Sequence, residues 1–325
     1  MKQLCYIDSI KYNWRQCPVS IQVAITDYCF NQCEMCGHWK RENKRHMPID
    51  IWKDRLKKMQ DRGLTSVCYS GGDPMMYPYL NELMDWHINN NLKFTIITAG
   101  FVPKKIDLAL LKESKWVRIS LDALDDKIYK YSRGGSLTPS MIKQSIEEMK
   151  KHKVNIQFNL AAHQYNVYDL MHVFDYALEI PVTKITIKPV IHEQALELSP
   201  SQESYLTMLC KHFGQLYDRA KIEHNLVSLP MKYEKIDRCF ACLWQHFIMP
   251  DGSVYPCCLM AGDTEAHGNC KAIGNIFSDN LLDIWINMKY FSMMELPQYC
   301  HANCLERHRY INNLVYRYWN QIHFF

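Results

Sequence analysis

The sequence lacks long apolar runs and a strong charge of either sign. No stretch of the 325 residues approaches the roughly 18 apolar residues of a membrane-spanning helix, and the first residues, MKQLCYIDSIKYNW, have no apolar signal-peptide core. The net charge is only +4, which does not by itself indicate a nucleic-acid partner. Internal repeats and low-complexity tracts are absent as well. We therefore expect a cytoplasmic protein that binds neither membranes nor nucleic acids.

Cysteine and apolar residues, by contrast, are plentiful. Hydrophobic residues make up 48% of the chain, which is enough for one large domain and a smaller one. The chain has 14 cysteines, and in a reducing compartment clustered cysteines are metal ligands more often than disulfide partners. The clustered cysteines are therefore candidate metal sites.

A three-cysteine motif follows the apolar alternation of residues 20–26. Cys29, Cys33 and Cys36 have the spacing Cys-x3-Cys-x2-Cys. A [4Fe–4S] cluster normally takes four thiolates, so three local ligands leave one iron open for another group. An open position makes a metal reactive rather than purely structural. A zinc knuckle with His38 as its fourth ligand is the alternative for the same residues.

Short β-rich runs alternate with amphipathic helical stretches through the first two thirds of the chain. This alternation predicts right-handed βαβ units and a parallel sheet. Six such units would make an α/β fold with a partial (β/α)6 TIM-like barrel, whose active site lies at the carboxyl ends of the strands. The predicted strands begin at Ser20, Ser66, Lys93, Trp116, Val154 and Lys184, and the predicted helices cover 49–61, 78–90, 104–113, 139–151, 168–179 and 201–223.

Glycine and polar residues stand where the predicted strands end. They are Gly71, Gly72 and Asp73 at the end of the second strand, Thr98 and Gly100 at the end of the third (93–98), Ser120 and Asp122 at the end of the fourth, Asn159 at the end of the fifth and Lys188 at the end of the sixth. Because the carboxyl ends of parallel strands meet at one edge of a sheet, we expect these residues to face the three-cysteine motif.

The segment from Cys29 to Cys36, Cys-Phe-Asn-Gln-Cys-Glu-Met-Cys, resembles the signature of radical S-adenosylmethionine (radical SAM) enzymes. In that family the open iron chelates the amino and carboxylate groups of SAM, whose reductive cleavage gives methionine and a 5′-deoxyadenosyl radical that removes a hydrogen atom from the substrate. The residue before the third cysteine is often aromatic in the family and is Met35 here. The resemblance implies SAM as a cofactor and an electron donor such as flavodoxin or ferredoxin.

Gly71, Gly72 and Asp73 resemble the family's GGE motif, which contacts the amino group of SAM. Aspartate replaces glutamate here, and a plain Gly-Gly-Asp-Pro turn is the alternative. Thr98 and Gly100 occupy the position of the family's Thr-Asn-Gly motif with an alanine in the middle, which favours a tight turn over direct contact.

By the same positional resemblance, Ser120 and Asp122 would contact the ribose or methionine part of SAM, with Asn159 nearby. Ordinary strand-end polar groups are the alternative for these three residues. Lys188, which precedes a proline, would line the mouth of the pocket or else be a solvated lysine.

The composition changes towards the carboxyl terminus. From Cys239 onward there are seven cysteines in 66 residues, which predicts two domains with the bounds 1–225 and 226–325. A hairpin with Pro250-Asp251-Gly252 as its turn would bring Cys257 beside Cys239. Four thiolates from three places can close around a complete [4Fe–4S] cluster, and a four-cysteine zinc site is the alternative.

This region resembles the Twitch or SPASM auxiliary-cluster extensions of radical SAM enzymes, in which Gly-x4-Cys on a hairpin is the hallmark. Gly252 and Cys257 match it. A full SPASM extension would need a longer final run of cysteines, so one auxiliary cluster of Twitch type is the better fit. The preferred ligands are Cys239, Cys257, Cys300 and Cys304, with Cys242 as the main competitor.

Cysteines outside the preferred ligand set could carry a second function. Cys258, Cys242 and Cys270 are candidate catalytic hydrogen donors, because a cysteine thiol returns a hydrogen atom to the substrate radical in related enzymes that invert a stereocentre. A small buried hydrophobic residue is the alternative for each.

The resemblance implies a radical SAM oxidoreductase whose auxiliary cluster accepts an electron from the substrate radical. We expect dehydrogenation of a small molecule such as an amino sugar or cyclitol, since only about 19 residues precede the first predicted strand, too few for a peptide-recognition domain. Modification of a ribosomally made peptide, by crosslinking or by redox-neutral epimerisation with a cysteine hydrogen donor, is the alternative.

Overall fold

The chain forms two compact units in the computed structural model. The structure describes residues 17–36, 41–190, 196–226, 238–261, 271–294 and 311–312. The barrel unit comprises Ile25–Lys44 and Tyr69–Lys232, and the cysteine-rich unit comprises Met1–Ala24, Arg45–Cys68 and Tyr233–Phe325.

The barrel unit is built on an open, parallel sheet. It contains the last residues of β1 (Ser20–Thr26) and β2 (Ser66–Gly71), then β3 (Lys93–Thr98), β4 (Val117–Ile119), β5 (Ile156–Ala162), β6 (Val182–Pro189) and β7 (Glu223–Asn225), in that spatial order. Each neighbouring pair from β3 to β7 is parallel. Among the described residues β7 is an edge strand. The predicted α/β partial barrel is therefore confirmed.

Helices follow the strands of the barrel unit. They are α2 (Leu80–Asn89), α3 (Leu108–Leu111), α4 (Asp126–Arg133), α5 (Pro139–Lys151), α6 (Leu170–Glu179) and α7 (Pro200–Ala220), whereas α1 (Ile49–Gln60) lies in the cysteine-rich unit. No helix within the described ranges is both long enough and apolar enough to span a membrane.

Local sequence explains where these helices begin and which face they bury. The side chain of Thr138 accepts a hydrogen bond from the Met141 backbone at the start of α5, and Pro139 occupies the first turn. Ile142, Ile146 and Met149 then recur at helical spacing and are fully buried. Burying each such side chain contributes about 1.5–3 kcal/mol to folding.

Helix α4, like the short strand β7, is an element of the barrel unit that the sequence analysis did not predict. Its sequence, DKIYKYSR, is polar and short, and only Tyr129 and Ser132 are buried. Asp125 caps its amino terminus by accepting hydrogen bonds from the Lys127 and Ile128 backbones. The helix ends at Gly134 with a positive φ.

The cysteine-rich unit has the strand order β10-β9-β8-β1-β2. Its own strands are β8 (Gln245–Ile248), β9 (Ser253–Tyr255) and β10 (Gly274–Asn275). The start of β1 pairs with β8 in parallel, whereas β8, β9 and β10 pair antiparallel. Helix α8 (Leu281–Met293) follows, capped by the side chain of Asn280.

The predicted domain bounds, 1–225 and 226–325, stay a prediction. The compact units group the start of β1 with the carboxyl-terminal residues, because Ser20 to Val23 pair with Gln245 to Ile248. Parallel pairing can join strands that are far apart in sequence into one compact unit.

The predicted hairpin turn is present in the cysteine-rich unit. Backbone hydrogen bonds join the Met249 amide to the Ser253 carbonyl and the Gly252 amide to the Met249 carbonyl. Gly252 has a φ of 85°, and a Cβ there would lie 2.4 Å from the Phe277 ring. A glycine is therefore required at this turn.

Candidate active site

The three-cysteine motif occupies a loop of the barrel unit directly after β1. Cys33 is buried, and Cys29 and Cys36 are half-buried. The pKa of Cys29 is raised to about 12 by burial first and then by the Asp73 carboxylate and the two other thiols, so the three thiols lie within electrostatic range of one another. A bound cation would instead lower the pKa of these thiols, since a coordinating thiol is deprotonated.

The donor set, three thiols in one loop, fits an iron–sulfur cluster. No group of three or more His, Cys, Asp or Glu side chains in the described part of the chain is arranged to hold one ion. A cluster instead takes one thiolate on each of several irons, so its cysteines need not converge on one point. His38, the alternative zinc ligand, lies outside the described residues.

A buried arginine contacts the motif. The Nη1 atom of Arg133 lies 3.8 Å from Sγ of Cys33, and its Nε lies 2.6 Å from Oδ2 of Asp122. Burial raises the pKa of Cys33, whereas the Arg133 guanidinium lowers it by favouring the thiolate. Arg133 thus places a positive charge beside Cys33, and the fully buried carboxylate of Asp122 holds it there.

The sequence analysis missed Arg133. Its only local signal is the glycine pair that follows it, because Gly134 and Gly135 both have positive φ. A Cβ on Gly135 would lie 2.2 Å from the Phe30 carbonyl oxygen. Two adjacent glycines after a helix therefore indicate a close backbone approach.

Hydrogen bonds join the end of α4 and the residues after it to the loop that carries the three-cysteine motif, which is called the cysteine loop below. The Gln32 amide donates to the Arg133 carbonyl at 2.9 Å, and the Ser136 amide donates to the Phe30 carbonyl at 3.2 Å. The Asn31 side chain also donates to the Tyr129 hydroxyl at 3.0 Å. These bonds fix the backbone between the first two cysteines.

The predicted glycine motif after β2 lies against the start of the cysteine loop. The Gly72 amide donates to the Thr26 carbonyl at 2.7 Å. A Cβ on Gly72 would lie 2.1 Å from the Tyr28 carbonyl oxygen, and Gly71 has a φ of 116°. Both positions therefore need glycine, one for space and one for its backbone conformation.

The Asp73 carboxylate is fully buried and is engaged within the protein. It accepts hydrogen bonds from the Thr98 hydroxyl at 2.9 and 3.0 Å, from the Ala99 amide at 2.9 Å and from the Met75 amide at 3.0 Å. Burial raises the pKa of Asp73 to about 6 although these bonds lower it. The side chain joins the end of β2 to the end of β3, and its contact with SAM stays a prediction.

Asp122 is engaged in the same way. One oxygen accepts from the Ala161 amide at 2.8 Å and the other pairs with Arg133. Ser120 and Asn159 are half-buried near the ends of β4 and β5, and Lys188 is half-buried in β6. Their contact with a cofactor also stays a prediction, as does the role of Thr98 and Gly100 in a turn.

Three cysteines of the second set lie together in the cysteine-rich unit. Burial raises the pKa of Cys242 well above its ordinary value, and Cys239 and Cys257 raise it further. The pKa of Cys257 is raised by burial, then by Cys258 and Cys239. The competitor Cys242 is thus placed beside both preferred ligands that the structure describes.

Cys258 is half-buried and packs against an apolar cluster that includes Phe247, Met249 and Ala261. This contact is typical of a small hydrophobic residue. The remaining predicted site residues, Cys270, Cys300 and Cys304, lie outside the described residues.

Two family models match the chain. The radical SAM superfamily model matches residues 23–177, which include the three-cysteine motif. A second model, the SPASM iron–sulfur cluster-binding domain, matches residues 239–305.

Curated relatives resemble the chain at low identity. The subtilosin biosynthesis protein AlbA of Bacillus subtilis is 20% identical over 82% of this chain, and GTP 3′,8-cyclase of Helicobacter pylori is 24% identical over 59% of it. The chain spans only 59% and 63% of the lengths of these two relatives.

A solved structure has a similar fold. The structure of Streptococcus suis SuiB bound to S-adenosylmethionine matches with a TM-score of 0.68 and 20% identity, covering 86% of this chain and 68% of SuiB. The likeness supports the same partial barrel.

Proposed function

We propose that this radical SAM protein, whose barrel is followed by an iron–sulfur cluster-binding SPASM domain, modifies a peptide substrate. The two domains and the fold imply SAM and two [4Fe–4S] clusters as cofactors. The radical SAM part of the proposal is carried by the three thiols in one loop after β1, which lies in the same unit as the glycine turn and the buried Arg133.

The residues of the barrel have distinct tasks in this proposal. A bound cluster with one open iron supplies the electron and the chelating position for SAM cleavage. Cys29, Cys33 and Cys36 hold it, and Arg133 orients Cys33 through an N–H contact to Sγ. Gly72 leaves room for backbone approach beside the cysteine loop.

In the cysteine-rich unit we propose Cys239, Cys242 and Cys257 as ligands of the auxiliary cluster. Their thiols lie within electrostatic range of one another, which supports Cys242 as a ligand rather than a spare thiol. The fourth thiolate would come from Cys300 or Cys304. Under this assignment Cys258 and Cys270 stay available as candidate hydrogen donors.

Two observations favour a peptide over a small molecule as the substrate. AlbA is a bacteriocin biosynthesis protein, and SuiB has been solved with its precursor peptide SuiA. Crosslinking or epimerisation within a peptide would each begin with removal of a hydrogen atom, for which the protein must orient a C–H bond. A cytoplasmic location and a flavodoxin or ferredoxin as electron donor belong to the same proposal.

A small-molecule substrate is the second candidate, favoured by the relative named as GTP 3′,8-cyclase. Dehydrogenation of an amino sugar or cyclitol belongs to this class. A small-molecule substrate of this kind needs no long groove that binds an extended peptide.

The test uses anaerobically purified, reconstituted full-length protein with SAM and a strong reductant. We expect 5′-deoxyadenosine to form, and a peptide encoded beside this gene to become lighter by two hydrogens or to gain one solvent deuterium in D2O. Loss of two hydrogens indicates crosslinking, and deuterium gain in an isomeric product indicates epimerisation. If only sugars or cyclitols are altered, the peptide proposal is wrong. If no 5′-deoxyadenosine forms, the radical SAM assignment itself fails.

A further inference from the structure

A buried asparagine holds the loop that carries the first cysteine of the second set. Asn312 is fully buried, and its Oδ1 accepts hydrogen bonds from the Phe240 amide at 2.7 Å and the Ala241 amide at 3.0 Å. These are the two residues that follow Cys239. Because both partners are donors, the atom that receives them must be the carbonyl oxygen, which fixes the orientation of the carboxamide.

The opposite end of the same carboxamide is buried without a partner in the described part of the chain. Among the described residues Nδ2 of Asn312 is buried and has no partner that satisfies hydrogen-bond geometry. Cys239 directly precedes the two residues whose amides donate to Oδ1, so its sulfur is the candidate acceptor for Nδ2. A buried donor is normally satisfied, so Nδ2 needs an acceptor at this position.

We propose that Asn312 is a positioning residue of the auxiliary cluster, whose Oδ1 holds the turn after Cys239 and whose Nδ2 donates an N–H···S hydrogen bond to that cysteine once it carries iron. This inference rests on the auxiliary cluster of the proposed function. Hydrogen bonds to the sulfur ligands help to set the reduction potential of iron–sulfur clusters. A donor stabilises the reduced, more negative cluster, so its loss lowers the potential.

Asn275 provides a matched control in the same unit. Its Oδ1 accepts from the Phe277 amide at 2.9 Å and its Nδ2 donates to the Asp251 carbonyl at 2.9 Å. Replacement of either asparagine by aspartate keeps an acceptor oxygen and removes the amide donor. Only the donor of Asn312 faces a cysteine in this proposal.

The experiment uses the full chain with Cys29, Cys33 and Cys36 replaced by alanine, so that the auxiliary cluster is the only one present. Protein labelled with ¹⁵N in the asparagine side chains is reduced and examined by pulsed electron paramagnetic resonance. We expect a ¹⁵N coupling that persists in Asn275→Asp and disappears in Asn312→Asp. A potentiometric titration should show about a tenfold lower ratio of reduced to oxidised cluster in Asn312→Asp at a fixed potential, equal to about 59 mV for a one-electron couple.

Several outcomes would overturn the inference. The inference is wrong if the parent protein, in which Asn312 is unchanged, shows no ¹⁵N coupling; this result does not depend on the folding of any Asn312 variant. Retention of the coupling in Asn312→Asp, or equal potentials in Asn312→Asp and Asn275→Asp, overturns it as well. If Asn312→Asp binds no iron, Asn312→Gln keeps the amide; with the ¹⁵N label then placed in the glutamine side chains, this variant is expected to show a weaker coupling than the asparagine of the parent, and an equally strong one contradicts the proposed contact. A parent protein with no reducible cluster overturns the auxiliary-cluster proposal itself.

Discussion

The guanidinium of Arg133 joins a fully buried carboxylate to a cysteine of the three-cysteine motif. Its Nε lies 2.6 Å from Oδ2 of Asp122, and its Nη1 lies 3.8 Å from Sγ of Cys33. Burial alone would disfavour both the carboxylate and a thiolate. One shared cation offsets both costs, so the stability of the barrel and the ligand set of the site depend on the same side chain.

Replacement of Arg133 by methionine should destabilise the barrel strongly. It would leave Asp122 without its buried partner, which costs about 3–5 kcal/mol. Urea unfolding of the cluster-free protein under reducing conditions measures the loss. Arg118→Met is the matched control, because Arg118 is half-buried, donates to Gln157 at 2.8 Å and lies over Trp116; we expect it to lose about 1 kcal/mol. Equal losses in both variants would contradict the prediction.

Replacement of Gly72 by alanine should disrupt the glycine turn. The added methyl would lie 2.1 Å from the Tyr28 carbonyl oxygen, a backbone atom that cannot rotate away. We expect a loss of more than about 2 kcal/mol in unfolding free energy, together with loss of SAM binding measured by equilibrium dialysis.

Gly214→Ala in α7 is the control for this change. A methyl at Gly214 would meet only ordinary contacts, the nearest at 3.5 Å from the His224 ring. Alanine also stabilises a helix interior by about 0.5–1 kcal/mol relative to glycine. Similar destabilisation at both glycines would show that close approach to Tyr28 is not the cause.

The buried Asp73 carboxylate should make stability depend on pH. Its pKa is about 6 in the folded protein against an ordinary value of 3.8, so the native state binds more protons than the unfolded state between these values. The free energy of unfolding therefore falls as the pH rises through this window, by about 3 kcal/mol for two pKa units.

Asp73→Asn should remove this contribution. The quantity to measure is the difference in unfolding free energy between the wild type and Asp73→Asn at several pH values from 4 to 7. The difference cancels the opposite contribution of buried histidines such as His87, whose pKa burial lowers to about 4. A difference that does not change with pH would contradict the prediction.

Cys242 and Cys258 should differ in their effect on the auxiliary cluster. With Cys29, Cys33 and Cys36 replaced by alanine, the protein should retain about four irons per chain. We expect Cys242→Ala in that background to lose most of this iron and Cys258→Ala to keep it, as measured by iron and sulfide analysis. Iron retention in Cys242→Ala would show that Cys242 is not a ligand of the auxiliary cluster.

The order of strands and helices could largely be predicted from the sequence. The strands at 20–26 and 93–98 and the helix at 139–151 have the predicted bounds, because their apolar residues repeat with the strand or helix period and their ends carry capping or turn residues. Helix α4 lacks that pattern, so the sequence predicted neither this helix nor a functional role for Arg133 at its end. Its importance depends on a cysteine 100 residues away, which no local pattern reveals.

The sequence by itself determined the candidate ligands of the three-cysteine motif. Thiols three and four residues apart can reach one cluster from a single loop, so their spacing predicts their chemistry. Only the tertiary structure decided which polar groups brace that loop. Asp73 accepts from Thr98, 25 residues away, and Asp122 accepts from Ala161, 39 residues away, because buried carboxylates are stabilised by whichever amides, hydroxyls and cations the fold brings to them.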